Sequence, residues 1–383
     1  MGLKILHTAD LHLGMKFSNY PAYIREDLIE ARFNTLENLV STANQEECNL
    51  FVIAGDLFDK LNIPLRDIKR VIGILNNFAG DCVLVMPGNH DYDNGMVELW
   101  QCFQDNISDR LILLNKAKPY KLTHFDLDLT VYPAYCDRKH SAANKLDWIK
   151  DYYQGLDDGG KCPGTYQLGI AHGALNGLSP DMSDRYFNMS EEELLELPVD
   201  LWLLGHTHIP YPANRELNNR RIFNAGTAEP DGLDCSHNGT AWLIEISREQ
   251  EGSTEVSATL LETGFYRFKD LSYTIEVRAD LLRIKEELLS DNPEQSLLRL
   301  KLSGRVDEDL YNNKEAVYQE LRDRLAYLEI DDSSLKLRIT EEVIDREFSR
   351  SSFPYLVLKE LAASKEDEDA LQLAYELIKE VRE

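Results

Sequence analysis

The chain has 383 residues, a length that favours two or three domains with separate cores. Hydrophobic residues make up 43% and charged residues 28%, which is ordinary for a globular protein, and no stretch approaches the roughly 18 consecutive apolar residues that span a bilayer. The formal net charge of -26 argues at face value against a nucleic-acid partner, because phosphate binding normally requires a basic surface.

The amino terminus lacks the features of a targeting segment. It has no basic stretch followed by an apolar run and a small-residue cleavage site, and strand-forming residues begin at Leu3. Leu6 stands where a myristoylation signal would have Ser or Thr. The six cysteines are scattered, without the close pairs that build zinc or redox sites. We therefore expect reduced, buried thiols and a cytoplasmic protein without a membrane partner.

The first part of the chain alternates short apolar runs with stretches of helical spacing. Apolar residues recur at helical intervals from Pro21 to Glu46 and again from Leu65 to Phe78. This alternation predicts parallel strands joined by crossover helices. From about residue 120 onward, strand-like runs predominate. We therefore expect an α/β fold in which two packed sheets form a sandwich flanked by helices.

Five apolar runs that are typical of buried strands stop at residues able to bind a hard metal ion. The residues that follow these runs are Asp10 and His12; Gly55 and Asp56; Gly88, Asn89, His90 and Asp91; His172; and Gly205, His206 and His208. Strand ends that lie side by side bring such residues together at one sheet edge, which is where open α/β sheets usually bind ligands. The sequence therefore predicts a metal site at this edge.

The donor types in this set indicate which metals would bind. Carboxylate oxygen, amide oxygen and imidazole nitrogen suit octahedral Mn²⁺ or Fe²⁺, with Zn²⁺ as an alternative, and the lack of thiolates argues against a structural zinc site. The ligands are numerous enough for two ions if one carboxylate bridges them. Two such ions activate water and neutralise phosphodiester oxygens, so the pattern predicts phosphoester hydrolysis. They would also offset part of the negative charge of the chain where a phosphate binds.

The remaining glycines and histidines of interest have simpler interpretations. Gly55, Gly88 and Gly205 allow a sharp backbone turn at a strand end and keep side chains away from the metals. The histidines outside the pattern are His7, His124, His140 and His237. We expect these four to be ordinary hydrogen-bonded residues rather than ligands.

The metal-binding motifs occur in a fixed order along the chain: D-x-H at Asp10, G-D-x-x-D at Gly55, G-N-H-D at Gly88, the isolated His172, and G-H-x-H at Gly205. In this order, the set resembles the calcineurin-like metallophosphoesterases over about the first 270 residues. The ADLHLG opening, with the GDLFD and GNHD forms of the next two motifs, is similar to the SbcD family, the nuclease subunit of bacterial and archaeal double-strand-break repair complexes. That resemblance implies an exonuclease on duplex DNA ends and an endonuclease on single strands or hairpins, acting with an SbcC-like coiled-coil ATPase.

The same resemblance implies roles for individual residues. The implied ligands are Asp10, His12 and His208 for the first ion, Asn89, His172 and His206 for the second ion, and Asp56 as the bridge between them. His90 would face the scissile phosphate, where it would stabilise charge or protonate the leaving oxygen. Asp91 would orient the imidazole of His90. Asp59 would either support the GDLFD turn in a similar way or simply cap a loop.

The predicted secondary structure changes twice after the predicted metal residues. Residues 1–270 form the predicted metallophosphoesterase (nuclease) domain, and residues 271–347 show a β-α-β-α-β pattern that predicts a small α/β cap domain. Residues 348–383 form a C-terminal helical segment with apolar stripes, which begins near Pro354. These terminal helices either pack on their own domain or dock on a partner.

Several alternatives stay open at the level of sequence. Two polar excursions, residues 137–166 and 173–198, either carry substrate contacts or are plain solvated loops. The metal motifs alone leave the substrate open, so a phosphodiesterase or phosphatase for small nucleotides or other phosphoesters is the alternative to a DNA nuclease. A scaffold that keeps the fold without catalysis is a third interpretation, against which the intact ligand residues count. The sequence also leaves open whether the chain forms a homodimer.

Overall fold

The computed structural model of the chain describes residues 2–156, 166–178, 186–248, 254–363 and 368–382. The expectations for Cys162 and for parts of the two polar excursions lie outside these described residues. Contacts between Cα atoms divide the chain into two compact units, Met1–Phe268 and Lys269–Glu383. None of the described helices is both long and apolar enough to cross a membrane.

The described residues form the following strands and α-helices. The strands are β1 (Leu3–Thr8), β2 (Leu50–Ala54), β3 (Cys82–Met86), β4 (Leu111–Leu113), β5 (Tyr120–Lys121), β6 (Leu129–Ala134), β7 (Tyr166–His172), β8 (Leu201–Gly205), β9 (Glu216–Asn218), β10 (Ile222–Asn224), β11 (Thr240–Arg248), β12 (Thr254–Glu262), β13 (Arg267–Thr274), β14 (Ser296–Val306) and β15 (Tyr327–Leu337). The α-helices are α1 (Ala22–Gln45), α2 (Leu65–Leu75), α3 (Glu98–Gln104), α4 (Asp147–Gln154), α5 (Glu191–Glu196), α6 (Arg278–Leu288), α7 (Glu308–Arg322), α8 (Glu341–Glu347), α9 (Phe353–Ala362) and α10 (Glu368–Arg382).

The first unit contains two β-sheets. Over the described residues, one sheet has seven strands in the order β4-β3-β2-β1-β11-β12-β9, and the other has five in the order β10-β8-β7-β6-β5. Strands β1 to β4 are parallel to one another. Strands β6, β7, β8 and β10 are parallel in the second sheet. The carboxyl ends of the parallel strands therefore lie along one edge of each sheet.

Among the described residues, three apolar clusters pack between the layers of the first unit. One lies between the seven-stranded sheet and helices α1, α2 and α3, and it includes Leu36 and Phe103. A second joins the inner faces of the two sheets and includes Val52 and Ile170. A third lies between the five-stranded sheet and helices α4 and α5, around Trp202. This arrangement is the predicted two-sheet sandwich flanked by helices, so the predicted fold class is confirmed.

Local sequence explains where several elements begin and end. Every residue of β2 is buried and apolar, as expected of a parallel strand covered on both faces. Helix α5 begins with a capping box in which the side chains of Ser190 and Glu193 accept from each other's backbone N–H. The second predicted helix ends at Leu75 rather than at Phe78, because the following Asn76 is a poor helix former.

The second unit contains a three-stranded sheet in the order β13-β14-β15. The chain order β13-α6-β14-α7-β15 is the pattern that the sequence predicts. Helices α6 and α7 contribute with the sheet to an apolar core that includes Leu300. Helices α8, α9 and α10 share a separate apolar cluster that includes Leu358 and Leu371, so the terminal helices pack on one another. The separation of residues 271–347 from 348–383, and the function of each part, stays a prediction.

Candidate metal centre

The strand ends of the first unit carry the predicted ligands to one place. Asp10 and His12 follow β1, Asp56 follows β2, Asn89 follows β3, His172 ends β7, and His206 and His208 follow β8. The two sets of strand ends meet across the sandwich, because Nδ1 of His172 lies 2.9 Å from the backbone oxygen of Ala54 in β2. Among the described residues, three overlapping groups have donor atoms within 4.8 Å of one another: Asp10, His12 and His208; His12, Asp56 and His90; and Asp10, Asp56 and His172.

The predicted ligands of the first ion form one part of this cluster. The Nε2 atoms of His12 and His208 face each other at 3.2 Å, and Nε2 of His208 lies 3.9 Å from Oδ1 of Asp10. Asp10 and His12 are buried, whereas the side chain of His208 is 37% exposed. Two imidazole nitrogens and a carboxylate oxygen thus converge on a single position that suits a cation.

The predicted ligands of the second ion converge on the amide of Asn89. The Oδ1 atom of Asn89 lies 3.0 Å from Nε2 of His172 and 2.8 Å from Nδ1 of His206. The ring centroids of the two histidines are 5.3 Å apart in an edge-to-face arrangement. One amide oxygen and two imidazoles are therefore brought together, and their assignment to a second ion stays a prediction.

Asp56 lies between the two groups of ligands. Its Oδ2 atom is 3.8 Å from Nε2 of His12 and 3.3 Å from Nε2 of His172. Its Oδ1 atom accepts a hydrogen bond of 2.8 Å from the backbone N–H of His90. This position suits a carboxylate that two ions share, and the bridging role itself stays a prediction.

The backbone adopts costly conformations that direct these side chains into the cluster. Positive φ angles occur at Asp10 (52°), His12 (46°), Asp56 (50°) and His206 (97°). Residues other than Gly rarely adopt such angles, which concentrate at functional sites. Gly55 has a φ of 98°, and a Cβ atom there would collide with the ring of His172. A Cβ atom would also collide with Asp56 at Gly88 and with the end of β2 at Gly205.

His90 borders the cluster, but the expected orienting contact comes from another residue. The Nδ1 atom of His90 lies 3.1 Å from the backbone oxygen of Asp59. The carboxylate of Asp91 instead accepts backbone N–H bonds from Gly88 at 2.7 Å and from Phe58 at 2.9 Å. The expectation that Asp91 orients the imidazole is therefore corrected. The carbonyl of Asp59 orients the ring, and Asp91 fixes the turn that carries it.

Buried carboxylates give the cluster a negative potential. Burial lowers the pKa of His172, but Asp56 and Asp10 outweigh that effect and raise the pKa to about 9. Burial also lowers the pKa of His208, while a hydrogen bond with Asp231 raises it, with a net value of about 9. Burial raises the pKa of Asp10 to about 6. Burial instead lowers the pKa values of the other two imidazoles, those of His12 and His206, so the carboxylates favour positive charge at His172 and His208 in particular.

Three residues beyond the predicted motifs complete the surroundings of the first-ion group. Oδ2 of Asp231 lies 2.9 Å from Nδ1 of His208, and the hydroxyl of Thr227 donates to the backbone oxygen of Asp10 at 2.9 Å. Nη1 of Arg32 donates to the backbone oxygen of the residue after Asp10 at 2.7 Å. The motifs in the sequence predict none of these three residues. The polar AGTAEPD stretch after β10 is again a strand end, and it is the signal that could have indicated Thr227 and Asp231.

The histidines outside the motifs make ordinary contacts. His7 bonds to the backbone oxygen of Leu204, His237 bonds to that of His208, His124 packs on Phe125, and His140 packs on Tyr186. Tyr186 lies in the second polar excursion, and its ring centroid is 5.0 Å from that of His206. Part of this excursion therefore lies beside the candidate metal centre.

The residues in the cluster fit two divalent ions. Carboxylate and amide oxygens together with imidazole nitrogens are the mixture that suits Mn²⁺, Fe²⁺ or Zn²⁺. The facing Nε2 atoms of His12 and His208, 3.2 Å apart, are both lone-pair acceptors unless a proton or a cation lies between them. When bound, such ions supply an activated water and neutralise charge on a phosphoryl group.

Comparison with known proteins shows the family. The sequence pattern of the family described as calcineurin-like phosphoesterase matches residues 3–210, which is more than half of the chain. The chain therefore belongs to the calcineurin-like phosphoesterases, a family of hydrolases with a dinuclear metal centre. The matched residues include every predicted metal ligand.

Two curated relatives match parts of the chain. The uncharacterized metallophosphoesterase YhaO of Bacillus subtilis is 26% identical over 214 residues, which are 54% of this chain and 48% of the relative. The DNA double-strand break repair protein Mre11 of Aeropyrum pernix is 39% identical over 90 residues, which are 23% of this chain and 21% of the relative. The chain thus spans about half of the length of one relative and about a fifth of the other.

Parts of the chain also align with solved structures at low sequence identity. The protein TT1561 of Thermus thermophilus aligns with a TM-score of 0.38 and 9% identity, over 67% of this chain and 98% of that protein. A dimetal phosphatase from Danio rerio aligns with a TM-score of 0.36 and 13% identity, again over 67% and 98%. The assignment to the family rests on the sequence match over residues 3–210.

Proposed function

We propose that this chain is a Mn²⁺-dependent DNA nuclease that acts in double-strand-break repair, as an exonuclease on duplex ends and an endonuclease on single strands or hairpins. The observation that carries the proposal is a ligand cluster suited to two ions in a chain that is 39% identical to an Mre11 repair protein over 90 residues. Manganese is proposed because mixed oxygen and imidazole donors suit an octahedral ion of this kind.

The proposed mechanism assigns each residue a task. Asp10, His12 and His208 would hold the first ion, Asn89, His172 and His206 would hold the second ion, and Asp56 would be shared between them. Nδ1 of His90 donates to the carbonyl of Asp59, 3.1 Å away, so Nε2 is the nitrogen left for the substrate. In the imidazolium form, in which Nε2 also carries a proton, it stabilises charge on the scissile phosphate or gives that proton to the leaving oxygen.

The acidic character of the chain favours a second candidate function. With a net charge of -26, the chain as a whole repels a long nucleic acid, whereas a small phosphoester meets only the local field of the site. A phosphodiesterase or phosphatase for small nucleotides or other phosphoesters is therefore the alternative. Two bound cations reduce this repulsion where the phosphate binds.

An SbcC-like ATPase is the proposed partner, and the terminal helices are its proposed docking surface. Leu358 and Leu371 belong to the apolar cluster of these helices, but several apolar side chains lie outside it. Phe353 is 78% exposed, Leu377 is 53% exposed and Val381 is 87% exposed. Exposed apolar side chains on neighbouring helices are typical of a surface that binds another protein. A second copy of this chain is the alternative occupant.

Hydrolysis assays test these proposals. Purified protein loaded with Mn²⁺ is given labelled duplex DNA, a labelled DNA hairpin and a chromogenic phosphodiester. Cleavage of the DNA substrates supports the nuclease. Cleavage of the small ester alone supports the second candidate, and no cleavage of any substrate after verified metal loading supports a non-catalytic scaffold.

A further inference from the structure

We propose that Asp231 is a positioning residue for the first metal ion. It holds the imidazole of His208 with Nδ1 protonated and Nε2 directed towards Asp10 and His12. The inference rests on the proposed metal centre and deepens it. The family match ends at residue 210, so Asp231 lies beyond the part of the chain that the family pattern covers.

His208 needs external support more than the other ligands of its group. Its side chain is 37% exposed, whereas Asp10 and His12 are buried and held by their surroundings. A partly exposed imidazole rotates about χ2 unless a hydrogen bond fixes the ring, since that torsion has broad minima. Oδ2 of Asp231, 2.9 Å from Nδ1, provides such a bond.

This contact also determines which ring nitrogen binds the ion. Because Nδ1–H donates to Asp231, the lone pair of His208 is at Nε2. Nε2 lies 3.2 Å from Nε2 of His12 and 3.9 Å from Oδ1 of Asp10, on the side of the ring where the other two ligands converge. A carboxylate on the far nitrogen orients a metal-binding imidazole and increases its basicity.

The segment that carries Asp231 is anchored on two sides. The hydroxyl of Thr227 lies 2.9 Å from the backbone oxygens of both Asp10 and Glu229, and its single hydrogen is shared between these two acceptors. The buried carboxylate of Glu229 accepts a 2.6 Å hydrogen bond from the hydroxyl of Thr35 in helix α1. These hydrogen bonds connect the segment both to the loop that carries Asp10 and to α1. They therefore fix Asp231 relative to Asp10, one of the proposed ligands of the first ion.

A buried cation balances the negative charges behind His208. Arg32 is 1% exposed, and its guanidinium interacts electrostatically with Asp231 and Glu229. Asp231 is therefore available as a charged acceptor for the imidazole.

Metal binding by the full-length chain tests the proposal. Mn²⁺ titration of the parent should reveal two ions, and electron paramagnetic resonance should show a spin-coupled pair. In Asp231→Asn, the first site should bind about 10–100-fold more weakly with the second site unchanged, because a carboxylate that orients a metal-binding imidazole is lost. At intermediate Mn²⁺ the spectrum should then show isolated ions. Asp234→Asn changes an exposed carboxylate three positions away and should behave like the parent.

The results distinguish a failure of the positioning role of Asp231 from a failure of the proposed metal centre. Parent-like affinity at both sites in Asp231→Asn and Asp231→Ala overturns the positioning role, and so does an equal loss at both sites. If the parent binds no Mn²⁺, the metal centre itself is refuted. Circular dichroism of the metal-free variants checks folding, and the better folded of the two Asp231 variants decides the outcome. Recovery of the coupled spectrum in Asp231→Glu supports a role for the carboxylate.

Discussion

His7 allows a quantitative prediction about the sandwich that carries the metal centre. The side chain is completely buried between the sheets, and its Nε2 atom lies 3.0 Å from the backbone oxygen of Leu204 in β8. Burial lowers the pKa of this imidazole from its ordinary 6.5 to about 3. His7 is therefore neutral in the folded protein under conditions in which it becomes protonated in the unfolded chain.

The sign of the pH dependence follows from these two pKa values. The folded pKa is the lower one, so the contribution of neutral His7 to stability is fully present above pH 6.5 and is lost as the pH falls from 6.5 towards 3. Each pH unit in this window costs about 1.4 kcal/mol. Between pH 7 and pH 4.5, the loss from this one group is about 2–3 kcal/mol.

The substitution His7→Gln isolates this effect. A glutamine amide can donate to the carbonyl of Leu204 but does not titrate in this range. Urea unfolding of the metal-free proteins is followed by tryptophan fluorescence, which reports on the first unit because all four tryptophans lie in it. The parent should lose about 2–3 kcal/mol more than the variant on acidification from pH 7 to 4.5, since all other groups titrate in both proteins. If the difference in unfolding free energy between the parent and the variant is the same at pH 7 and at pH 4.5, the imidazole of His7 is not held neutral by burial.

Four further substitutions test other parts of the structure. Gly55→Ala should reduce the Mn²⁺ content per chain measured by mass spectrometry, because the new Cβ collides with the ring of His172; parent-like content would contradict that packing. His90→Ala should slow hydrolysis by about 10²–10⁴-fold at unchanged metal content, and a loss of metal would mean that His90 is a ligand. Asp91→Ala leaves two backbone N–H groups without their acceptor, so urea unfolding should show a loss of about 1–3 kcal/mol for each; an unchanged midpoint would argue against this role. Leu377→Lys should weaken binding to an SbcC-like ATPase in a pull-down without affecting ester hydrolysis, and undiminished binding would exclude this face of α10.

The ligands could be predicted from the sequence because each stands at the end of a buried apolar strand. Parallel strands of one sheet end at the same edge, so the runs before Asp10 and Asp56 place these carboxylates side by side. The second sheet does the same for His172 and His206, and apolar packing brings the two sheets together. Strand periodicity and a fixed motif order therefore contain most of the information about the cluster.

The contacts behind the ligands could not be predicted from these patterns. Whether His90 bonds to Asp91 or to the carbonyl of Asp59 depends on how two turns pack. Every residue has a backbone carbonyl, so the residue type does not show which one accepts. Arg32 lies in an amphipathic helix, where a charged residue normally indicates the solvent face, yet it is buried. Asp231 follows a short strand whose end the motif pattern does not mark. Each of these contacts arises from tertiary packing.

The most direct test of the central claim is an anomalous difference map from a crystal soaked in Mn²⁺ and measured at the manganese absorption edge. Two peaks are expected. The side chains around them should be Asp10, His12 and His208 at one, Asn89, His172 and His206 at the other, and Asp56 at both. A map without peaks at these side chains, or with a single peak that Asp56 does not contact, would show that the chain does not hold a pair of ions here.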